Sequence, residues 1–238
     1  MVPRWPLLPS GALFAGALWV GGRITSLRAA AAEVRPLTHE LRLPGHGTPR
    51  RVVVLGDSAA AGHGLVDADH ALARRVARGL HAADGRPTDV TCVAVSGATT
   101  SDALHLQAEA ASDAEVVIVS VGVNDAMSPR RRLRDAERTY ETLLGRVTAD
   151  PATRVVVLTS PDLSIAPAMP WPLRPAVGWR CRYLAVRQAR LADRFGAAVI
   201  ALPREVLDPS VFGADGLHPG VEGHRRLAAG VLRTLGVG

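Results

Sequence analysis

The sequence predicts a three-layer α/β fold, in which a parallel sheet of five strands carries helices on both faces. Two observations support this. From Arg50 onward, short apolar runs alternate with longer segments whose apolar residues recur at helical spacing. The runs are also continuously apolar, as in strands buried on both faces. At 238 residues, 47% hydrophobic and 21% charged, the chain suits one sizeable globular domain.

The predicted elements alternate regularly along the chain. The strands are expected at 52–55, 90–95, 116–121, 155–158 and 198–202. The helices between and after them are expected at 67–83, 101–111, from Ser128 onward, 181–195 and after His218. In the first helix Leu72, Val76 and Leu80 form one apolar stripe. In the third helix Ser128 is a candidate N-cap, because Pro129 follows it in the first turn.

Such a sheet has a preferred place for a ligand. Right-handed crossovers and helices on both faces are compatible with a strand order of 2-1-3-4-5, in which strands two and three flank strand one. Ligands then bind beyond the carboxyl ends of the strands, near the point where the order reverses. Ser58, Gly97 and Asn124 follow the predicted ends of strands one, two and three. We therefore expect them to meet at that edge.

Residues 1–49 differ from the predicted α/β domain at 50–238. The stretch 7–22 is apolar and continues a helical stripe, but it is shorter than the ~20 residues that span a bilayer. A membrane anchor is the favoured interpretation, because Trp5 and Trp19 suit the interface. A cleaved secretory signal and a soluble helix are the alternatives, which leaves membrane-associated, secreted and cytoplasmic locations open. Residues 36–49 are predicted to form a linker.

The charge of the chain is basic without a matching nucleic-acid signature. The formal net charge is +6, and all the basic residues are Arg. The tightest cluster, Arg130 to Arg132 with Arg134, carries no interleaved aromatic residues and is expected to be a solvated face. No nucleic-acid partner is therefore expected. Cys92 and Cys181 have no metal-type spacing, so we expect free thiols and no zinc site.

Four short motifs carry the residues of acyl transfer. They contain Ser58, Gly97, Asn124, and the pair Asp215 and His218. A serine hydroxyl needs a base that takes its proton, which His218 can supply, while Asp215 can orient the imidazole. The Ser58 and Gly97 N–H groups and the Asn124 amide can stabilise an oxyanion. Each motif alone is common, but all four occur together, three of them at predicted strand ends.

These motifs resemble those of the SGNH hydrolases, also called GDSL-type esterases and lipases. The resemblance runs from about Arg51 to the last helix, and the stretch 56–64 looks like actinobacterial members. It implies a flavodoxin-like three-layer sandwich with Ser58 as nucleophile, and Asp215 and His218 as its triad partners. No metal or cofactor is expected, because no cluster of metal ligands stands near the motifs. Ala59 replaces the leucine of the name-giving motif, at a position that carries no chemistry.

Other polar and aromatic residues receive secondary assignments. In the irregular segment 161–179, Trp171 and Trp179 are candidate contacts for an apolar acyl or aryl group, although a packed loop explains the segment equally well. His63 is expected to be a loop residue, and His224 to lie on the surface of the last helix. Asp125 and Asp162 are expected to anchor turns.

The sequence thus predicts a metal-independent serine hydrolase acting on small-molecule or lipid-like carboxylic esters. Two alternatives remain open. The same triad could transfer the acyl group to an acceptor other than water, or the fold could be a non-catalytic binding module.

Overall fold

The chain forms a single mixed sheet in the computed structural model, which describes residues 40–237. The strands are β1 (Leu41–Leu43), β2 (Arg50–Gly56), β3 (Thr88–Cys92), β4 (Val116–Ser120), β5 (Arg154–Leu158) and β6 (Ala198–Ile200). Their order is β1-β3-β2-β4-β5-β6, and β2 to β6 run parallel. The predicted order of the five parallel strands is therefore confirmed.

The sixth strand corrects the predicted count. β1 pairs antiparallel with β3, with Leu41 opposite Val90. β1 lies within the segment 36–49 that was predicted to be a linker, so that prediction is wrong for these three residues. A strand of three residues is too short for periodicity to reveal. Its effect is to cover the edge of β3, which would otherwise expose unpaired backbone groups.

Helices cover both faces of the sheet. They are α1 (Leu72–Asp84), α2 (Thr100–Asp102), α3 (Val123–Met127), α4 (Leu133–Val147), α5 (Arg174–Arg194) and α6 (Val221–Thr234). A π-turn (Ala103–Gln107) and a 3-10 turn (Ala108–Ala111) continue α2. Further 3-10 turns lie at Ala68–His70, Leu163–Ile165, Trp171–Leu173, Arg204–Val206 and Pro209–Val211.

The apolar runs of the strands supply two cores at once. In β2, Val53 and Leu55 belong to the core that α4 and the end of α5 cover. Val52 and Val54 point to the opposite face, where α1 and α6 pack. Successive strand residues alternate between faces, so burial on both sides requires a continuous apolar run. This confirms the interpretation of 52–55 as a central strand.

Several helix boundaries differ from the predicted ones. Ser128 does not cap α4. That helix begins at Leu133, and its N-cap residue, Arg132, makes no capping hydrogen bond with its side chain. Instead, the Ser128 carbonyl accepts the Arg131 N–H and closes a turn. α3 was not predicted, because five residues are too few for a stripe to show. α5 begins at Arg174 rather than at 181, since Pro175 is tolerated in a first turn.

The thiols and the arginine cluster follow the predictions. Cys92 and Cys181 are both free, and Arg130 to Arg132 and Arg134 are exposed.

The apolar helix predicted at 7–22 lies outside the described residues. Within 40–237, no helix has the length and apolar character that a membrane crossing requires.

Candidate active site

The predicted site residues collect at the carboxyl edge of the sheet. Ser58 follows β2, Gly97 follows β3, and Asn124 lies in α3 directly after β4. β2 and β4 approach closely here, because a β-carbon added to Gly56 would lie 2.0 Å from the Ser120 carbonyl oxygen. Only glycine fits that position, which lies two residues before Ser58.

A continuous line of hydrogen bonds joins Ser58, His218 and Asp215. Ser58 Oγ lies 2.9 Å from His218 Nε2, and His218 Nδ1 lies 2.5 Å from Asp215 Oδ2. The other Asp215 oxygen accepts the Leu217 and His218 backbone N–H groups at 2.9 and 3.0 Å. The serine, the imidazole and the carboxylate thus have the connectivity of an activated nucleophile.

The electrostatics of Asp215 determine the direction of these hydrogen bonds. Burial raises the pKa of its carboxyl. The hydrogen bonds from the His218 ring and from the two backbone N–H groups lower the pKa by more than burial raises it, so that the net pKa is about 2. Asp215 is therefore ionised at neutral pH and accepts a hydrogen bond from the protonated Nδ1. His218 Nε2 then carries a lone pair, which accepts the Ser58 hydroxyl proton.

Three donors are available near the nucleophile. The N–H groups of Ser58 and Gly97 donate to no group within residues 40–237, and Gly97 has a φ of 85° that favours glycine. Asn124 Nδ2 donates to the Ala98 carbonyl at 2.9 Å, which orients the amide. An amide nitrogen carries two protons, so one remains for an oxyanion.

Two buried glutamines, not identified from the sequence, hold the strand ends. Gln107 exchanges two hydrogen bonds with the backbone of Gly56, at 2.7 and 3.0 Å. Gln188 accepts from the Ser160 N–H and donates to the Val121 carbonyl, both at 2.7 Å. Each amide therefore satisfies backbone groups where regular pairing stops. An isolated glutamine on a helix gives no sequence signal for this role.

The two aspartates predicted to anchor turns do so. Asp125 accepts both the N–H and the hydroxyl of Thr100 at 2.8 Å. Asp162 accepts the Ser164 N–H at 3.0 Å and pairs with Arg182.

His63 lies closer to the triad than its interpretation as a loop residue implied. Its side chain is buried, and its ring centroid lies 4.3 Å from that of His218. Its Nδ1 is 3.4 Å from Ser96 Oγ. Burial lowers the pKa of His63, as does repulsion from His218 when that imidazole is protonated, and both favour the neutral form of His63. Proximity in sequence to Ser58 was the available signal for this contact.

The interpretation of His224 as a surface residue is wrong. Its side chain is completely buried, and Nδ1 accepts the Leu72 N–H at 3.1 Å. The residue before Leu72 is Ala71, whose side chain cannot cap the start of α1. A histidine from α6 therefore supplies the missing acceptor.

A largely apolar cavity of about 420 Å³ lies beside the triad. Its wall includes Asp57 and Ala59, which flank Ser58, and Leu217 and Pro219, which flank His218. It continues between the carboxyl ends of β5 and β6 and the adjacent face of α6. Asp57 Oδ2 is buried there with no partner within the described part of the chain. Burial raises the pKa of that carboxyl to about 7.

The two tryptophans proposed as substrate contacts do not line this cavity. Trp171 is 80% exposed, and Trp179 is 57% exposed and packs on Tyr183 with ring centroids 5.9 Å apart. The apolar side of their segment is instead buried through Leu163 and Met169. Aromatic content alone did not indicate which side of the segment faces the site.

Comparisons with known proteins agree with this geometry. The sequence model of the GDSL-like Lipase/Acylhydrolase family matches residues 54–226. The GDSL-like esterase Rv1075c of Mycobacterium tuberculosis is 28% identical over 199 residues, which cover 76% of this chain and 60% of that protein. The chain therefore spans less than two thirds of that relative's length.

Solved structures share the fold. The lipase/acylhydrolase from Enterococcus faecalis is 24% identical with a TM-score of 0.62, and the match covers 79% of this chain and 97% of that one. The native aryl esterase of M. smegmatis is 20% identical with a TM-score of 0.63, and the match covers 78% and 98%.

Proposed function

The chain belongs to the GDSL-like lipase/acylhydrolase family, and we propose that it is a serine esterase that cleaves carboxylic esters through an acyl-enzyme on Ser58. The observation that carries this proposal is the unbroken hydrogen-bond line from Ser58 through His218 to Asp215. A non-catalytic binding module has no need for that arrangement.

The first half of the reaction forms the acyl-enzyme. Ser58 Oγ attacks the ester carbonyl carbon while its proton moves to His218 Nε2. The carbonyl oxygen gains negative charge, which the N–H groups of Ser58 and Gly97 and the Asn124 amide stabilise. The bond to the alcohol oxygen then breaks, and the imidazolium returns its proton to the departing alcohol. Asp215 remains ionised and stabilises the imidazolium throughout.

The second half releases the acid. A water molecule gives a proton to His218 and attacks the ester carbonyl of acylated Ser58. Collapse of the intermediate frees the carboxylic acid and restores the serine hydroxyl. An alcohol or amine could replace water at this step, which would make the same site an acyltransferase.

The cavity supports an apolar acyl group as the preferred part of the substrate. Its walls meet the neighbours of both the nucleophile and the base, and they are mostly apolar. The volume of about 420 Å³ exceeds what an acetyl group needs. We therefore propose esters of medium-length acyl chains rather than acetate esters as the better substrates.

A panel of p-nitrophenyl esters of increasing acyl length tests the proposal. We expect hydrolysis by the wild type, a maximum of kcat/KM beyond acetate, and loss of hydrolysis to near background for Ser58→Ala. A fluorophosphonate probe should label Ser58, with the modified peptide identified by mass spectrometry. Wild-type hydrolysis by Ser58→Ala, or labelling of a different serine, would overturn the assignment.

The balance between hydrolysis and transfer can be measured with the same enzyme. Added primary alcohols compete with water for the acyl-enzyme, so the ratio of new ester to free acid reports the preferred acceptor. We expect free acid to dominate at low alcohol concentration. Predominant ester formation under those conditions would identify the chain as an acyltransferase.

A further inference from the structure

His63 lies beside the hydrogen-bonded line of Ser58, His218 and Asp215, and its imidazole adds a third potential metal ligand to those of His218 and Asp215. One ligand atom each from His63, Asp215 and His218 lies within 4.8 Å of the other two. We propose that these three side chains bind a divalent transition-metal cation of the Zn²⁺ class, and that the bound cation inhibits the esterase. The inhibition rests on the proposed function, whereas the binding does not.

The donor set suits such a cation. Two imidazoles and one carboxylate, with a fourth position left open, are a common Zn²⁺ environment. Ligand atoms ~2 Å from the ion lie within roughly 4 Å of one another, so the present separation calls for side-chain movements of about 1 Å. Mg²⁺ prefers an all-oxygen, octahedral shell and should not compete effectively.

The backbone holds His63 beside the other two ligands. The His63 N–H donates to the Ser58 carbonyl at 2.9 Å, which ties this loop to the turn of the nucleophile. A β-carbon added to the next residue, Gly64, would lie 3.9 Å from both Asp215 Oδ2 and His218 Cβ. The loop therefore packs directly on the turn that carries the base. Its imidazole needs only side-chain rotation, not a backbone rearrangement, to share a cation.

Cation binding and catalysis require the same imidazole. In the free enzyme His218 Nδ1 faces Asp215 and Nε2 faces Ser58. A cation on Nε2 would occupy the lone pair that accepts the serine proton. A cation on Nδ1 would replace the hydrogen bond to Asp215 that orients the ring. In both cases Nε2 has no lone pair left for the serine proton, because a cation on Nδ1 moves the imidazole proton from Nδ1 to Nε2.

The site is distinct enough to be tested by single substitutions. Within residues 40–237, no other group of three His, Cys, Asp or Glu side chains brings its ligand atoms together in this way. Within the described residues, the hydrogen-bond partner of the His63 side chain is Ser96, so its imidazole lies outside the Ser58–His218–Asp215 line. His105 is exposed and lies outside this group, so it provides a matched histidine control.

The binding arm uses calorimetric titration of the full chain with ZnCl₂, in a buffer that does not chelate metals, and with MgCl₂ for comparison. We expect one Zn²⁺ per chain for wild type, for His105→Gln and for Ser58→Ala. His63→Gln should weaken Zn²⁺ binding by at least roughly tenfold, since loss of a ligand costs more than loss of its supporting contact. Asp215→Asn is a second variant that removes a ligand. The Asp215 side chain is partly exposed, so we expect this variant to fold. Thermal unfolding checks that each variant is folded.

The inhibition arm measures ester hydrolysis against Zn²⁺ concentration, with each variant compared with its own zinc-free rate. We expect EDTA to reverse the inhibition of the wild type, and the inhibition constant of His63→Gln to rise in parallel with its dissociation constant. Zn²⁺ binding by folded His63→Gln and Asp215→Asn with wild-type affinity would overturn the proposal, as would absence of binding to wild type. Absence of hydrolysis alongside the expected titrations would refute the proposed function instead.

Discussion

Gln107 and Gly56 exchange two hydrogen bonds across the top of the sheet. Gln107 Oε1 accepts the Gly56 N–H at 2.7 Å, and Nε2 donates to the Gly56 carbonyl at 3.0 Å. The π-turn Ala103–Gln107 ends at this residue, and such turns often occur at functional sites. The glutamine therefore fixes the backbone two residues before the nucleophile.

Substitution Gln107→Leu should destabilise the fold. The buried Gly56 N–H would lose its acceptor, at a cost of about 1–3 kcal/mol in the free energy of unfolding. Urea denaturation measures the change, and kcat should fall as Ser58 loses its support. Leu106→Ala, at a position that is 78% exposed on the same turn, is the control and should have little effect. Equal stability of the two variants would contradict the role given to Gln107.

Substitution Asn124→Ala should impair catalysis without abolishing it. One of three oxyanion donors is lost, and by analogy with other oxyanion holes kcat should fall by ~10²–10³. Steady-state kinetics on the best p-nitrophenyl ester measures this, with slow fluorophosphonate labelling of Ser58 as a second readout. Complete loss of labelling in a folded variant would argue that the amide has a different role.

Substitution Asp215→Asn should slow turnover and alter the acid response of the fold. An amide can donate to His218 and favour the wrong tautomer, so kcat should fall by on the order of 10⁴. The pKa of Asp215 is lowered from 3.8 to about 2. Its contribution to stability is therefore fully present at pH values above the ordinary carboxyl pKa, and it disappears as the pH falls toward 2. Thermal unfolding from pH 5 to pH 2 should show a smaller acid loss in the variant than in the wild type.

Substitution Asp57→Asn should have the opposite pH signature. The pKa of this carboxyl is raised from 3.8 to about 7, so folding holds it protonated where the unfolded chain ionises. Stability is therefore lost as pH rises from about 4 to about 7, by up to the order of 4 kcal/mol. An amide does not titrate, and its oxygen can still accept the Ala59 N–H, as Asp57 Oδ1 does at 3.1 Å. The difference in melting temperature, variant minus wild type, should therefore grow as the pH is raised from 5 to 8. A constant difference would contradict the raised pKa.

The segment 7–22 should direct the chain to membranes, since its apolar run and the tryptophans at positions 5 and 19 favour that location. Cells expressing the full chain and a version without residues 1–35, which keeps β1, can be fractionated. We expect only the full chain to require detergent for release. Recovery of both in the soluble fraction would rule out the anchor.

The sheet order and the meeting of Ser58, His218 and Asp215 could be predicted because they depend on patterns that a linear sequence displays. A continuous apolar run marks a strand buried on both faces, and Ser58, Asp215 and His218 are residue types with few alternative roles in that combination. The carboxyl ends of neighbouring parallel strands meet by geometry. Once its motif had singled out Asn124, its location at the same sheet edge as Ser58 followed from the strand order.

The supporting residues could not be predicted because their partners are distant backbone groups. Gln107 and Gln188 each act on strand ends that no periodicity connects to them. His224 replaces a missing cap on α1, which became visible only once α1 and α6 were placed together. The exposed faces of Trp171 and Trp179 likewise depend on how Leu163 and Met169 pack.

The two hydrogen bonds of the triad have different spans along the chain. His218 and Asp215 are three residues apart, on a turn closed by the Gly213 N–H and the His218 carbonyl, whereas Ser58 and His218 are 160 residues apart. The exposed loop 203–206 lies between them. A chain cut in that loop would leave the nucleophile on one piece and a preformed base on the other. Ester hydrolysis would then require the two pieces to associate, so the fold could serve as a split-enzyme reporter of molecular proximity.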